Sequence, residues 1–465
     1  MTSISKKCVS AVMSVAMLSA AVPNAIADMA VNGTRYEQVD GTTGTPLGGF
    51  GAGAIKFNAQ NGSFAAITMA PADQNDYKSV GKSCFQLYTE AGGKKETVEK
   101  MTAVKTDGRY DDDAVWPEHM VNFGTINGIE VMLKAFSPLD SVNYDNMSMP
   151  YAFYEMTLTN TNTVETQAAA ALLWDTSSGS VQYVENKGFT SSKWSVFADS
   201  GDGTLTVGSD NGFFTNGECL NTVSGTQNRT AVKVNLAANE SKKIKFVVSW
   251  YDNSDPDGAY YLSKYNNSAD IAELGLSNFD TLKVNADKLV SAMRSSDIPQ
   301  WYVNQCLNSL ANISNNSIYK TDGRTAFAEG EWTCFGTMDQ MWHARQIIGY
   351  LIPEFAWQEL EYWARTQRND GQIHHDFNYM TDTSVKYKLV PWDDTEHEDY
   401  RNVDKWVDLN CGLIISVYEL YKQTGDEEKL QWFWGYLKKA GQRIFDQVEA
   451  YGDTEYPYTF KNSEN

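Results

Sequence analysis

Apolar and polar positions alternate one by one along much of the first part of the chain. Tyr154, Met156 and Leu158 alternate with Glu155, Thr157 and Thr159, and Ile244, Phe246, Val248 and Trp250 alternate with Lys243, Lys245 and Ser249. A period of two predicts strands with one face buried. Turn pairs punctuate these runs, among them Asn61-Gly62, Asp107-Gly108, Asn127-Gly128, Asp202-Gly203 and Asn211-Gly212. Residues 28–290 are therefore expected to form a large β-sandwich. The run 46–53 is rich in glycine, but it lacks the GxGxxG spacing and no helical pattern follows it. Close backbone approach accounts for those glycines better than a phosphate loop does.

From about residue 290 the period lengthens. Residues 337–351 and 354–368 carry apolar side chains at helical spacing, with Pro353 between them. Within 405–424, Trp406, Leu409, Leu413, Val417 and Leu420 share one helical face, and Gly425 follows as a stop signal. Nine of the 13 tryptophans lie from Trp301 onward, which predicts aromatic-lined helix ends. A helical region after a sandwich predicts an α/α toroid of the (α/α)6 type over 291–465, with paired helices around a central pocket. At ordinary helix and loop lengths this stretch supplies only the N-terminal part of such a ring.

The first residues read as a processing signal. Lys6 and Lys7 precede an apolar run over 8–21, and Ala25-Ile26-Ala27 fits a small-residue cleavage site. A signal peptide over 1–27 implies export, to the periplasm or beyond the cell. The run is short for a spanning helix, and no other apolar stretch is long enough, so no transmembrane segment is expected after cleavage.

Charge and cysteine usage narrow the function classes. With 38 basic against 59 acidic residues, the formal net charge is −21. Such a surface repels nucleic acid and anionic membranes. Six cysteines are present; Cys8 leaves with the signal, and the other five are widely spaced without a CxxC. That pattern is neither a disulfide framework nor a zinc site. The five histidines contain no HExxH, and the run holding Asp252, Asp255 and Asp257 lacks the calcium-loop spacing and reads as a turn. No cofactor and no metal are expected.

Candidate chemistry gathers between Glu329 and Asp376. Ala328-Glu329-Gly330-Glu331-Trp332 sets two carboxylates beside an aromatic ring, Asp339 follows, and Asp370-Gly371-Gln372-Ile373-His374-His375-Asp376 joins a turn to a His-His-Asp cluster. Carboxylates among aromatics suit glycoside chemistry: one can attack or stabilise an oxocarbenium-like centre while a protonated partner assists the leaving oxygen. Spacing alone also fits solvated acidic faces in an acidic protein.

These segments, in this order, resemble glycoside hydrolase family 116, the non-lysosomal glucosylceramidase and β-glucosidase family. The resemblance includes the glycine-rich 44–53, strands near 151–160 and Trp174, the segment at Glu329, and Trp406-Val407-Asp408-Leu409-Asn410. It implies a retaining enzyme acting on β-linked sugars, with Glu329 as nucleophile and Asp339, His375 and Asp376 binding sugar hydroxyls. Glu331 competes with Glu329, because the segment is one residue shorter than the family's. The family's acid lies in a later Thr-x-Asp segment, absent from 451–465. The chain is thus expected to be C-terminally truncated, without its general acid and inactive by itself. Two other classes fit the same residues: a non-catalytic carbohydrate-binding homologue, and another α/α-toroid enzyme, either an inverting glycosidase or a sugar epimerase using His374 and His375.

Overall fold

The computed structural model describes residues 44–69, 77–177, 179–255, 257–328, 335–338, 341–342, 346–377, 388–396 and 403–451. The expected signal segment, Glu329, Glu331 and Asp339 lie outside the described residues. The chain divides into two compact units, one spanning Val15–Asp252 and Tyr261–Asn315, the other built mainly on Asn253–Tyr260 and Asn316–Asn465.

The first unit is sheet-rich. An eight-stranded antiparallel sheet runs in the order Gln182–Val184, Gly188–Thr190, Trp194–Asp199, Ser241–Trp250, Tyr151–Asn160, Ile129–Phe136, Glu118–Ile126, Asp112–Val115. A five-stranded antiparallel sheet runs Thr204–Gly208, Gln227–Leu236, Thr166–Asp175, Cys84–Ala91, Lys94–Val98. Their inner faces share one core. Phe85 of the smaller sheet meets Tyr154 and Phe246 of the larger at ring-centroid distances of 5.5 and 6.3 Å, and Trp174 meets Trp194 at 5.2 Å. Between Glu118–Ile126 and Ile129–Phe136, Asn127 and Gly128 have φ of 49° and 76°. Both central residues are left-handed, which matches the twist of a tight hairpin.

The central strands are buried on both faces over much of their length, where alternation predicts one. The reason is the helix Ser268–Arg294, which lies on the outer face of the larger sheet. Phe279 of that helix meets Phe136 and Phe153 edge-on at 5.1 and 5.4 Å. Gly275 gives the necessary room, since a Cβ there would stand 2.8 Å from Val247. Polar residues of the covered face end in ion pairs, such as Lys245 with Asp280 at 2.9 Å. This helix and Gln300–Ser309 belong to the sheet-rich unit, so compactness divides the chain after Asn315, beyond the change of period near 290. In the glycine-rich run, a Cβ on Gly49 would lie 2.3 Å from the Met149 carbonyl oxygen, which is the close approach the sequence suggests.

The second unit is largely helical. Its longer described helices are Pro353–Arg365, Val407–Thr424 and Glu427–Tyr451. Pro353 opens its helix, where a missing N–H costs nothing, and Ile352 before it is non-helical at φ −141°. Val407–Thr424 stops at Gly425, whose φ of 70° lets its N–H donate to the Tyr421 carbonyl at 2.7 Å. Among the described residues, no helix is long and apolar enough to cross a membrane.

Candidate functional site

The candidate site in the helical unit is built on paired extended segments and a tight turn. Ala328 bridges Phe335 in antiparallel fashion, and Phe377 N–H donates to the Phe335 carbonyl at 2.9 Å. Phe335 therefore lies between Ala328, the chain neighbour of Glu329, and Phe377, the neighbour of Asp376. At one strand spacing per step, the backbone at 328 and at 377 stands roughly 10 Å apart. Met338 N–H donates to the His375 carbonyl at 3.0 Å, which ties the chain just before Asp339 to the same turn. Gly336 is required here, because a Cβ would meet the Phe377 ring at 2.4 Å.

His375 and Asp376 are both buried, at 3% and 1% exposure. His375 Nδ1 lies 2.8 Å from Asp376 Oδ2. A carboxylate only accepts, so the ring donates through Nδ1–H. The Trp406 ring stands edge-on to the imidazole at 5.6 Å. Behind them, Phe377 stacks on Tyr362 at 3.8 Å and against Trp363 at 4.1 Å. Burial pushes the Tyr362 phenol far above its ordinary range, so it stays a donor, and it donates to the Val390 carbonyl.

The turn preceding the pair is fixed by buried amides. Ile373 N–H donates to Asn410 Oδ1 at 2.9 Å, and Gln447 Nε2 donates to Gln372 Oε1 at 2.7 Å. Gly371 has φ of 90°, and its Cα packs so tightly on the helix Glu427–Tyr451 that a Cβ would lie 2.4 Å from the Lys439 carbonyl oxygen. On the solvent side, Arg368 pairs with Asp370 and Asp404, each at 2.9 Å, and Arg443 approaches both at 3.6 Å.

Residues 44–207 match the profile described as "beta-glucosidase 2, glycosyl-hydrolase family 116 N-term". This stretch is thus similar to the N-terminal domain of glycosyl-hydrolase family 116. No curated protein matches the chain. The similar solved structures share little identity with the chain. A protein from the human microbiome assigned as a kojibiose phosphorylase shares 10% identity over 87% of this chain and 53% of its own, with a TM-score of 0.39. A polysaccharide lyase shares 11% over 86% and 69%, with a TM-score of 0.27. A family GH92 alpha-mannosidase from Bacteroides thetaiotaomicron shares 8% over 89% and 64%, with a TM-score of 0.32. The chain spans about half the length of the first of these.

Of the four residues singled out by sequence, the fold brings His375 and Asp376 into direct contact. Glu329 and Asp339 lie outside the described residues, with their flanks placed as above. The three aspartates read as a turn have cationic partners. Asp252 meets Lys193 at 2.9 Å, Asp255 forms a buried pair with Lys320 at 2.6 Å, and Asp257 faces Arg324 at 3.4 Å. Among the described residues, no three metal-binding side chains gather. Sequence reasoning missed Gln447, Arg443 and Arg324. Phe433, Ala440 and Gln447 are all buried and seven residues apart, so a glutamine at an inward heptad position was the available signal. Arg324 Nη1 donates to the Leu389 and Val390 carbonyls at 2.9 Å each, a long-range clamp that no local pattern marks.

Proposed function

We propose that the chain is part of an exported, retaining glycoside hydrolase acting on β-linked sugars, of the β-glucosidase and glucosylceramidase kind. In this reading the helical unit is part of an α/α toroid. Glu329 attacks the anomeric carbon, the bond to the leaving oxygen breaks, and a covalent glycosyl-enzyme forms that water later releases. His375, Asp376 and Asp339 hold the sugar hydroxyls. A carboxylate accepting from a sugar hydroxyl makes a short, charge-assisted bond. No residue is assigned as general acid. The observation that carries the reading is the buried His375–Asp376 pair at 2.8 Å, one residue from a segment that is paired through Phe335 to Ala328. The family 116 match supports it.

A dinitrophenyl fluoroglucoside tests the proposal without needing an acid, because its leaving group departs as a stable anion. The expected result is a covalent label on the peptide carrying Glu329, found by mass mapping and abolished by Glu329→Gln. A label on Glu331 would move the nucleophile by two residues. Folded protein that takes no label would overturn the retaining mechanism.

A further inference from the structure

We infer that Gln447 is a positioning residue for the His375–Asp376 pair, acting through Gln372 and Asn410. The three amides form a closed triangle with all three side chains buried. Gln447 Nε2 donates to Gln372 Oε1 at 2.7 Å and to the Asp404 carbonyl at 3.0 Å. Its Oε1 accepts from Asn410 Nδ2 at 3.2 Å, and Asn410 Nδ2 also reaches Gln372 Oε1 at 3.4 Å. Arg443 Nε adds a third donor to Gln372 Oε1 at 3.3 Å. Every polar atom of Gln447 is used, so its amide has one orientation.

The triangle controls the turn through backbone groups. Asn410 Oδ1 holds Ile373 N–H, two residues before His375, and Gln372 Nε2 donates to the Ile373 carbonyl at 2.9 Å and the Trp406 carbonyl at 3.4 Å. Trp406 in turn packs on the His375 ring. A buried polar network in a medium of low dielectric holds its members rigidly when every partner is present. Gln447 thus sets the placement of a histidine 72 positions earlier in the chain.

Gln447→Glu tests this with almost no change of shape. It replaces a donor with a carboxylate facing two acceptors, Gln372 Oε1 and the Asp404 carbonyl. Burial and those acceptors raise the pKa of the introduced carboxyl, against the opposing pull of Arg443 one turn away, so acid restores a donating O–H. Histidine-labelled protein is followed by NMR, with the His375 signals assigned by their loss in His375→Gln. At about pH 7.5 the His375 signals of Q447E differ from wild type, and by about pH 5 the difference closes. Affinity for a glucose-configured iminosugar, read by calorimetry as a ratio to wild type, falls about tenfold at the higher pH and recovers to within about twofold at the lower. Should Q447E not fold, Arg443→Met removes one donor from Gln372 and gives a smaller shift of the His375 signals with no recovery in acid. Unchanged His375 signals in a folded variant, or an affinity loss equal at both pH values, would overturn the inference. The sugar-binding arm rests on the glycosidase reading. Wild-type protein that binds no iminosugar defeats that reading, while the NMR arm still decides the role of Gln447.

Discussion

At the scale of single residues, the glycines separate into those the fold requires and those it tolerates. Gly371 is left-handed and abuts the Lys439 carbonyl oxygen, so Gly371→Ala incurs both backbone strain and a clash. It should cost about 1–3 kcal/mol in urea titration and, on the proposed glycosidase reading, should weaken sugar binding because the turn carries His375. Gly435 and Gly441 lie inside the helix Glu427–Tyr451, with no packed neighbour within 4 Å of where a Cβ would stand. There alanine should stabilise by about 0.5–1 kcal/mol each, by reducing the freedom of the unfolded chain. The sequence treats all three alike, as glycines near helical patterns. What distinguishes them is a contact with a segment about seventy residues away, which local spacing does not encode. By contrast, His375-Asp376 was legible because the two partners are adjacent in the chain.

At the scale of elements, the helix Ser268–Arg294 is held on the larger sheet by charge as well as by Phe279. Lys134 pairs with Glu118 at 2.8 Å and with Asp287, while Lys283 pairs with Asp287 at 2.9 Å. Burial opposes ionisation of Asp287, but hydrogen bonds from Lys134 and Lys283 outweigh it and hold the carboxyl at about 2, against an ordinary 3.8. Glu118 shifts the other way: burial raises it, against the pull of Lys134. A lowered carboxyl stabilises the fold above its unfolded value and loses that contribution as the pH falls through the folded one. Asp287→Asn should therefore lower the melting temperature near neutral pH, with the gap from wild type closing between about pH 4 and pH 2. Because Asp287 is a third exposed, screening limits the effect to at most about 1 kcal/mol. A gap that persists unchanged into acid would show that packing, not the ion pairs, holds the helix. The period-two pattern revealed these strands but not the helix over them, since a strand with a covered outer face can still carry charged residues when each finds a partner.

At the scale of the whole molecule, each compact unit has its own buried interior, and they differ in kind. The sheet-rich unit is organised around Phe85, which is fully buried and touches Phe57, Phe64, Phe123, Tyr154 and Phe246. The helical unit instead buries Trp357, Trp363, Leu409, Leu413 and Phe433, which belong to different helices. Two interiors of this kind need not melt together, because a chain of several domains commonly departs from two-state unfolding. Phe85→Ala removes one of the rings that join the two sheets, and should cost that unit about 3–5 kcal/mol. For a domain of this size the loss corresponds to a fall of roughly 10 °C in its calorimetric transition. The transition assigned to the helical unit should stay in place, and the fluorescence of its tryptophans should report it. If both transitions fall together, the units unfold as one cooperative body. The stability of the turn at His375 would then depend on the core around Phe85 as well as on the amides that hold it directly.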